Sequence, residues 1–314
     1  MRHAIDHLGV KGSVLAIRNG KTWLKFATGN QVDTSYLINS VQKSMTAAMI
    51  MREVQKGKLK LSTKLSRFYE GIPGADQVRI SNLLNMTSGL DLKPGEKLGE
   101  DIFRSDEDNF QTDIKKTSFN PKMLGKWHYT SINYVYLCGI LTQLTHKSYE
   151  QLFRDTYIKP LHLKQTEFLW SSKKKLLASN WVPSYEKVDG QYQHVPHADA
   201  IKDAHDELGA GSIVMSNTDL AKVMQLILTS NFLTNKSREL LYHSVAPSYY
   251  NGGFYNLKRY KMANGAGEGY YTFFRSTHDG KTMLIVQANH TAKGKFVKIK
   301  KKINRIMDFL TYFD

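Results

Sequence analysis

Ser40 and Lys43 stand three residues apart in Ser40-Val41-Gln42-Lys43. On a helix this spacing puts a hydroxyl and an amine one turn apart on the same face. A lysine deprived of water loses basicity until it can take the serine proton. The chemistry open to such a pair is nucleophilic acyl transfer through a serine ester. N–H groups left free in the first turn of the helix would help hold the oxyanion that develops. The same spacing begins at Ser171, Ser172 and Ser184. The first two open a lysine run and the third lies in a Pro/Gly/Tyr stretch, so only Ser40 stands at a strong helix start. Taken alone, the pair also reads as a helix cap followed by a surface lysine.

The elements that must position this pair follow from periodicity. Met45, Ala48 and Met49 recur at three- and four-residue spacing and Val54 continues the apolar pattern, which predicts a helix over residues 40–56 with Gly57 as its stop. Upstream, residues 14–18 and 22–27 flank Asn19-Gly20, a strong hairpin signal. The middle of the chain reads as helical segments between polar loops, clearest at residues 134–144 and 218–228. Strands return at residues 269–276 and 282–288 around His278-Asp279-Gly280. A last helix from about residue 296 presents Phe296, Ile299, Ile303, Ile306 and Leu310 on one face. Two strands at each end predict one antiparallel sheet built from both chain ends, an α/β (α+β) fold. Residues 1–75 and 231–314 would form the sheet lobe, and residues 76–230 an inserted, mainly helical lobe.

Composition narrows the partners. Among 314 residues, Lys and Arg number 44 against 28 Asp and Glu, a net charge of +16, and 41% of residues are hydrophobic. That balance describes a globular protein with a field that attracts polyanions. Cys138 is the only cysteine, which excludes an internal disulfide and a cysteine-based zinc site. No run approaches the roughly 18 apolar residues of a membrane span. The opening Met1-Arg2-His3-Ala4-Ile5-Asp6 lacks the apolar stretch of a secretion signal. The protein is then either intracellular or an ectodomain separated from its anchor. Six lysines in residues 293–302 read as the wet face of the last helix, with polyanion contact as the alternative.

Beyond Ser40 the chain resembles the serine β-lactamase/penicillin-binding protein superfamily, in its class C β-lactamase and D-alanyl-D-alanine peptidase-like branch. Gly57-Lys58-Leu59 through Tyr69, Val78 through Thr87-Ser88-Gly89-Leu90, Ile158-Lys159-Pro160-Leu161 through Thr166, and Gly209-Ala210-Gly211-Ser212 through Asp219-Leu220-Ala221 are similar to segments of that family, in its order. The resemblance covers nearly the whole chain and implies the β-lactamase/transpeptidase-like fold. It makes Ser40 the nucleophile, Lys43 its base, and Tyr129 of Tyr129-Thr130-Ser131 the phenol that exchanges protons with both. A cation beside that phenol is expected to lower its pKa. Ser131 stands where the family has asparagine and still offers one hydroxyl to an acyl group. The resemblance assigns the oxyanion hole to the backbone N–H groups of Ser40 and Ala266.

The third motif departs from the family. Its cation-x-Gly aligns with Ala263-Asn264-Gly265, ahead of Ala266-Gly267-Glu268-Gly269-Tyr270, so Ala263 replaces the cation that in relatives helps hold a terminal carboxylate. Losing one charge-assisted hydrogen bond, roughly 1.5–3 kcal/mol, weakens carboxylate-terminated substrates about tenfold to a hundredfold. Lys261 lies on the same face of a strand but roughly 6–7 Å away. Asn264, Gly265 and Glu268 are expected to line the substrate. Glu268 is either a receiver for an aminoacyl ammonium or a surface glutamate.

The expected activity is that of a serine acyl hydrolase of the cell envelope. A D-alanyl ester on an anionic polymer such as lipoteichoic or wall teichoic acid fits both the missing cation and the charge of +16. Such a protein would be extracellular, at the bacterial cell surface, near the membrane through an N-terminal anchor. A D-alanyl-D-alanine carboxypeptidase or weak β-lactamase, and a catalytically silent wall-binding or penicillin-sensing module, are the alternatives. No cofactor, metal or nucleic acid is expected. No Glu-x-x-Leu-Asn segment or G-x-S-x-G elbow is present. His194, His197, Asp199, Asp203, His205 and Asp206 read as a solvated loop, because Pro196 interrupts the helical spacing that a metal would need. Cys138 reads as a buried hydrophobe. Tyr249, Tyr250, Tyr255, Tyr260, Tyr270 and Tyr271 read partly as strand core and partly as a groove wall.

Overall fold

The computed structural model describes residues 8–98, 103–243 and 249–312. Strands β1 (Gly12–Arg18) and β2 (Lys21–Thr28) form the expected hairpin. Asn19 and Gly20 both take positive φ, the backbone that a tight two-residue connection needs. From the other end come β3 (Tyr250–Asn251), β4 (Phe254–Asn256), β5 (Tyr260–Gly267), β6 (Tyr270–Thr277) and β7 (Met283–Ala288). They join in one antiparallel sheet of order β3-β4-β5-β6-β7-β1-β2, in which β1 pairs with β7 and closes the two chain ends together.

Side chains alternate across this sheet with period two, so each face has its own core. Val14, Ala16, Met262, Phe273, Leu284 and Val286 pack on one face. Leu15, Ile17, Ala263, Phe274, Met283 and Ile285 pack on the other. Five helices matter to the site: α1 (Lys43–Gln55), α2 (Ile132–Thr145), α3 (His197–Asp206), α4 (Asn217–Thr229) and α5 (Lys295–Tyr312). Helix α5 covers the first face with Ile299, Ile303, Ile306, Met307 and Leu310. Helices α1, α2 and α4 fill the second face. Gly57 takes positive φ just beyond α1 and donates its N–H to Val54 O at 3.0 Å, which stops the helix where expected.

Two expectations are corrected. The helix predicted from Ser40 opens as a 3₁₀ turn, Asn39–Gln42, and α-helix begins only at Lys43. The solvated loop predicted over residues 194–206 is instead the end of a strand, Gln191–His194, followed by helix α3. Pro196 does not break that helix. It stands at its N-cap, where a missing N–H costs nothing. His205 and Asp206 are buried. A small sheet unforeseen in the sequence joins Ser35–Leu37, Ile213–Ser216 and Thr166–Phe168. It anchors both the turn bearing Ser40 and the Gly209–Ser212 segment. No helix among the described residues is long and apolar enough to cross a membrane.

Candidate active site

Ser40 is presented by a turn held tightly from outside. Asn39 before it takes positive φ, a conformation asparagine tolerates better than most residues. Its side-chain Nδ2 donates to Gly267 O at 3.2 Å. A Cβ on Gly265 would collide with the Ile38 carbonyl, so only glycine lets β5 lie this close to the turn. The exposed Ala266 between the two glycines borders the same cleft as Asn39. The strand and the turn assigned to the oxyanion hole are therefore in direct contact.

Lys43 is fully buried at the start of α1. Its Nζ lies 2.9 Å from Ser40 Oγ, 3.2 Å from Ser131 Oγ and 3.1 Å from Ala210 O. Desolvation pulls its pKa down to about 8, and the negative field of Glu207 opposes part of that shift. A neutral lysine keeps two N–H donors. With these directed at Ala210 O and Ser131 Oγ, the lone pair is left for the Ser40 proton.

Tyr129 stands beside both groups. The Lys43 ammonium lies 5.5 Å from its ring centroid, and its hydroxyl hydrogen-bonds with Ser40. Tyr250 packs edge-on against it with centroids 5.6 Å apart. The backbone leading to it is tied to the segment around Thr87 by His128 N–H to Met86 O and Gly125 N–H to Thr87 O, both 2.8 Å. The expectation of a lowered phenol pKa is overturned. Burial pushes it well above the ordinary value, and the hydrogen bond from Ser40 offsets only part of that. Tyr129 therefore stays protonated at neutral pH, and of the two groups Lys43 is the one able to take the Ser40 proton.

Gln42 was not singled out in the sequence, yet it organises the site. Its Oε1 accepts from the backbone N–H of Ser212 and, at 3.0 Å, of Ile213, while its Nε2 donates to Tyr149 Oη at 3.2 Å. This clamp holds the segment whose Ala210 carbonyl receives the Lys43 amine. No signal in the sequence marks it, since Asn39, Ser40, Lys43, Ser44 and Thr46 around it are polar as well. Gln42→Leu is expected to lower kcat about tenfold with little change in KM, and to move the pH profile of kcat, since one hydrogen-bonded restraint on the base is worth about 1 kcal/mol or more. An unchanged kcat and profile would show the clamp to be structural only.

The third motif divides between the two sides of β5. Ala263 is buried among apolar side chains on the helical side. Lys261, on that same side, does not reach toward Ser40. Its Nζ is 2.7 Å from His278 Nδ1 and 5.2 Å from the Tyr242 ring centroid. Strand alternation puts Asn264 on the opposite side, with Tyr260 and Met262. Glu268, at positive φ, lines a cavity of about 240 Å³ together with Asn39, Gly211, Ala266, Asp203 and Glu207. Asp203 comes from α3, and Glu207 follows directly after it. The Glu268 carboxyl hydrogen-bonds to Asp203, so one of the two must carry a proton. Burial, Asp203, Glu186 and Glu207 together push Glu268 up to about 7. The cleft beside Ser40 is thus acidic in a protein whose net charge is +16. Cys138 is fully buried in α2, and burial pushes its thiol pKa up.

Comparison with known proteins places the chain among relatives. The family model described as Beta-lactamase matches residues 2–302. The putative penicillin-binding protein PbpX of Bacillus subtilis is 25% identical over 97% of this chain and 77% of its own length. A Staphylococcus aureus protein named teichoic acid D-alanine hydrolase is 24% identical over 94% of this chain and 74% of its own. Among solved structures, FmtA from Staphylococcus aureus superposes with a TM-score of 0.81 at 21% identity, covering 98% of this chain and 86% of that one. D-amino acid amidase from Ochrobactrum anthropi, complexed with D-phenylalanine, superposes with a TM-score of 0.83 at 18% identity, covering 100% and 99%.

Proposed function

The chain belongs to the Beta-lactamase family and is a serine hydrolase of its penicillin-binding-protein-like kind, and from that premise we propose that it removes D-alanyl esters from an anionic wall polymer of the teichoic acid type. The acidic cavity carries this reading. An aminoacyl ester has a free ammonium next to its scissile carbonyl and no carboxylate on that residue. Asp203, Glu207 and Glu268 offer negative charge to the ammonium beside the Ser40 turn, and Ala263 offers no cation to a carboxylate. The name of the Staphylococcus aureus relative at 24% identity is in keeping with it. The basic charge of the chain suits a polyphosphate backbone. The reading keeps residues 1–75 and 231–314 as a sheet lobe and 76–230 as an inserted lobe, and it sets the enzyme outside the cell.

In this mechanism Lys43 takes the proton of Ser40 as Oγ bonds to the ester carbonyl. The oxyanion collects at the N–H groups of Ser40 and Ala266. Tyr129, still protonated, gives its proton to the departing alcohol and regains one from the Lys43 ammonium. Water then attacks the seryl ester, its proton passes to Lys43, and D-alanine leaves as Ser40 recovers its own.

The test is release of free D-alanine by wild type and Ser40→Ala from D-alanylated lipoteichoic acid and from a peptide ending in D-Ala-D-Ala. Ser40-dependent release from the polymer supports the reading, and release from the peptide alone overturns it. Glu268 supplies a sharper expectation. Because Glu268 is pushed up to about 7, KM for a D-alanyl ester should fall as pH rises from 6 to 7, a range in which the ester's own ammonium, with an ordinary α-amino pKa of about 7.7–8.0, keeps its charge. Glu268→Gln should flatten that trend and raise KM about threefold to tenfold, the cost of a weakened charge-assisted contact. An N-acetylated ester, which has no ammonium, should be indifferent to the substitution.

A further inference from the structure

Tyr129 is the inner end of a line of aromatic rings that runs out to the surface. It packs against Tyr250 with centroids 5.6 Å apart, and Tyr250 packs against Tyr255 at 4.8 Å. Tyr255 then touches two further rings, Tyr249 at 5.5 Å and Trp127 at 6.5 Å. Tyr250 is buried and Tyr255 half-buried, whereas Trp127 is 41% exposed and Tyr249 53%. Both outer rings stand on fixed backbone. Trp127 lies between the hydrogen bonds that tie Gly125 and His128 to Thr87 and Met86. Tyr249 O accepts from Asn256 N–H at 2.7 Å, where the β3–β4 hairpin closes. At the turn of that hairpin Gly252 N–H donates to Leu84 O at 3.2 Å, and a Cβ on Gly253 would strike the backbone of Ser44 in α1. Among the described residues, the Trp127 indole N–H and the Tyr249 and Tyr255 hydroxyls have no hydrogen-bond partner.

Large aromatic faces held rigidly open to water mark a place where a partner group lands. Continuity with Tyr129 says which half of a substrate lands there. In the esterase reading the ammonium lies at the Ala266–Glu268 end of β5, whereas Tyr255 pairs with Met262, roughly 13 Å back along that strand. Tyr129 there gives its proton to the departing alcohol, and at most about 7 Å of chain separates it from Trp127. We propose that Trp127, Tyr249 and Tyr255 form a leaving-group subsite that stacks a pyranose ring carried by the alcohol half of the ester. A pyranose offers a face of C–H groups to the electron-rich faces of aromatic rings, and a rim of hydroxyls to the free indole N–H and phenol groups. A fatty chain would strip water from those polar atoms without replacing its hydrogen bonds. A peptide would bring a terminal carboxylate to a strand edge where Ala263 supplies no cation. The placing of the sugar in the leaving group rests on the esterase reading above. The capacity of these rings to hold a pyranose does not.

Saturation-transfer NMR on the intact protein tests the sugar contact without hydrolysis. Methyl β-D-glucopyranoside is the probe, and cyclohexanol is a ring of similar size without the rim of hydroxyls. Saturable binding of the glucoside, at least about tenfold tighter than that of cyclohexanol, supports the subsite when Trp127→Ala weakens it at least about tenfold and Tyr249→Phe about threefold. Trp127→Phe keeps a ring and loses the N–H, so its affinity should be intermediate, which decides the matter if the alanine variant folds poorly. Absence of glucoside binding, indifference to Trp127, or cyclohexanol bound as tightly overturns the proposal. A second measurement addresses the leaving group, as kcat/KM for 6-O-D-alanyl methyl glucoside divided by that for 1-O-D-alanylglycerol. The wild-type ratio should be at least about tenfold and should fall to near one in Trp127→Ala, and a ratio cancels any general loss of active protein. A wild-type ratio near one overturns the leaving-group placement. If neither ester is cleaved while Trp127-dependent glucoside binding persists, the esterase reading falls and the pyranose site stands.

Discussion

Replacing Ser40 by alanine is expected to cut the release of D-alanine from D-alanylated lipoteichoic acid by at least about 10⁴-fold, because removing the nucleophile of a serine hydrolase leaves only the contribution of binding and oxyanion stabilisation. Ser40 is half-exposed and its neighbours Val41 and Gln42 carry the packing, so the fold should survive. The same substitution should abolish covalent labelling by a fluorophosphonate, read as the loss of a mass adduct on the intact protein. KM should hardly move, since the acidic cavity is untouched. Retention of more than a few per cent of activity would assign the chemistry to another residue.

Lys43→Met is expected to lower kcat by about 10² to 10⁴-fold, the range ascribed to a positioned general base. Methionine nearly matches the lysine stem and removes a fully buried amine, so thermal unfolding should stay unchanged or rise. The wild-type pH profile carries the sign. Only the neutral amine can accept the Ser40 proton, and its pKa is about 8. Below that value kcat should therefore rise about tenfold per pH unit and then level above it. Glu207 raises the pKa of Lys43. Glu207→Gln should consequently shift the rising limb to lower pH. A profile set by a group near pH 6.5, or one indifferent to Glu207, would remove Lys43 from the role of base. These two profiles separate cleanly, because the proposed mechanism has Lys43 act on kcat and Glu268 on KM.

The parts of the molecule that depend on near neighbours were legible from the residues alone. Asn19-Gly20 forces its hairpin through local backbone preference, and the spacing of Ile299, Ile303, Ile306 and Leu310 declares which side of α5 is buried. The Ser40–Lys43 contact rests on one helical turn of separation. What escaped depends on groups far apart in the chain. The acidic cavity unites Asp203 and Glu207 with Glu268, some sixty residues later, and no periodicity links them. A proline reads alike at a helix start and at a break, which hides the place of Pro196 at the N-cap of α3. The phenol of Tyr129 misled for a related reason. A neighbouring cation is visible in a motif, whereas burial by Tyr250 and the rest of the interior is not. Gln42 was missed because its partners, Ser212 and Ile213, lie 170 and 171 positions away.

The core on the helical side of the sheet runs from Leu15 and Ile17 on β1, through α1, to Leu137 on α2, Met224 on α4 and Phe274 on β6, without interruption. Halves that share one continuous interior cannot gape like a hinged shell to admit a guest. The catalytic groups are thus aligned during folding, with no rearrangement left to be driven by an arriving molecule. Warming or denaturant should then extinguish turnover and structure in a single cooperative step rather than one after the other.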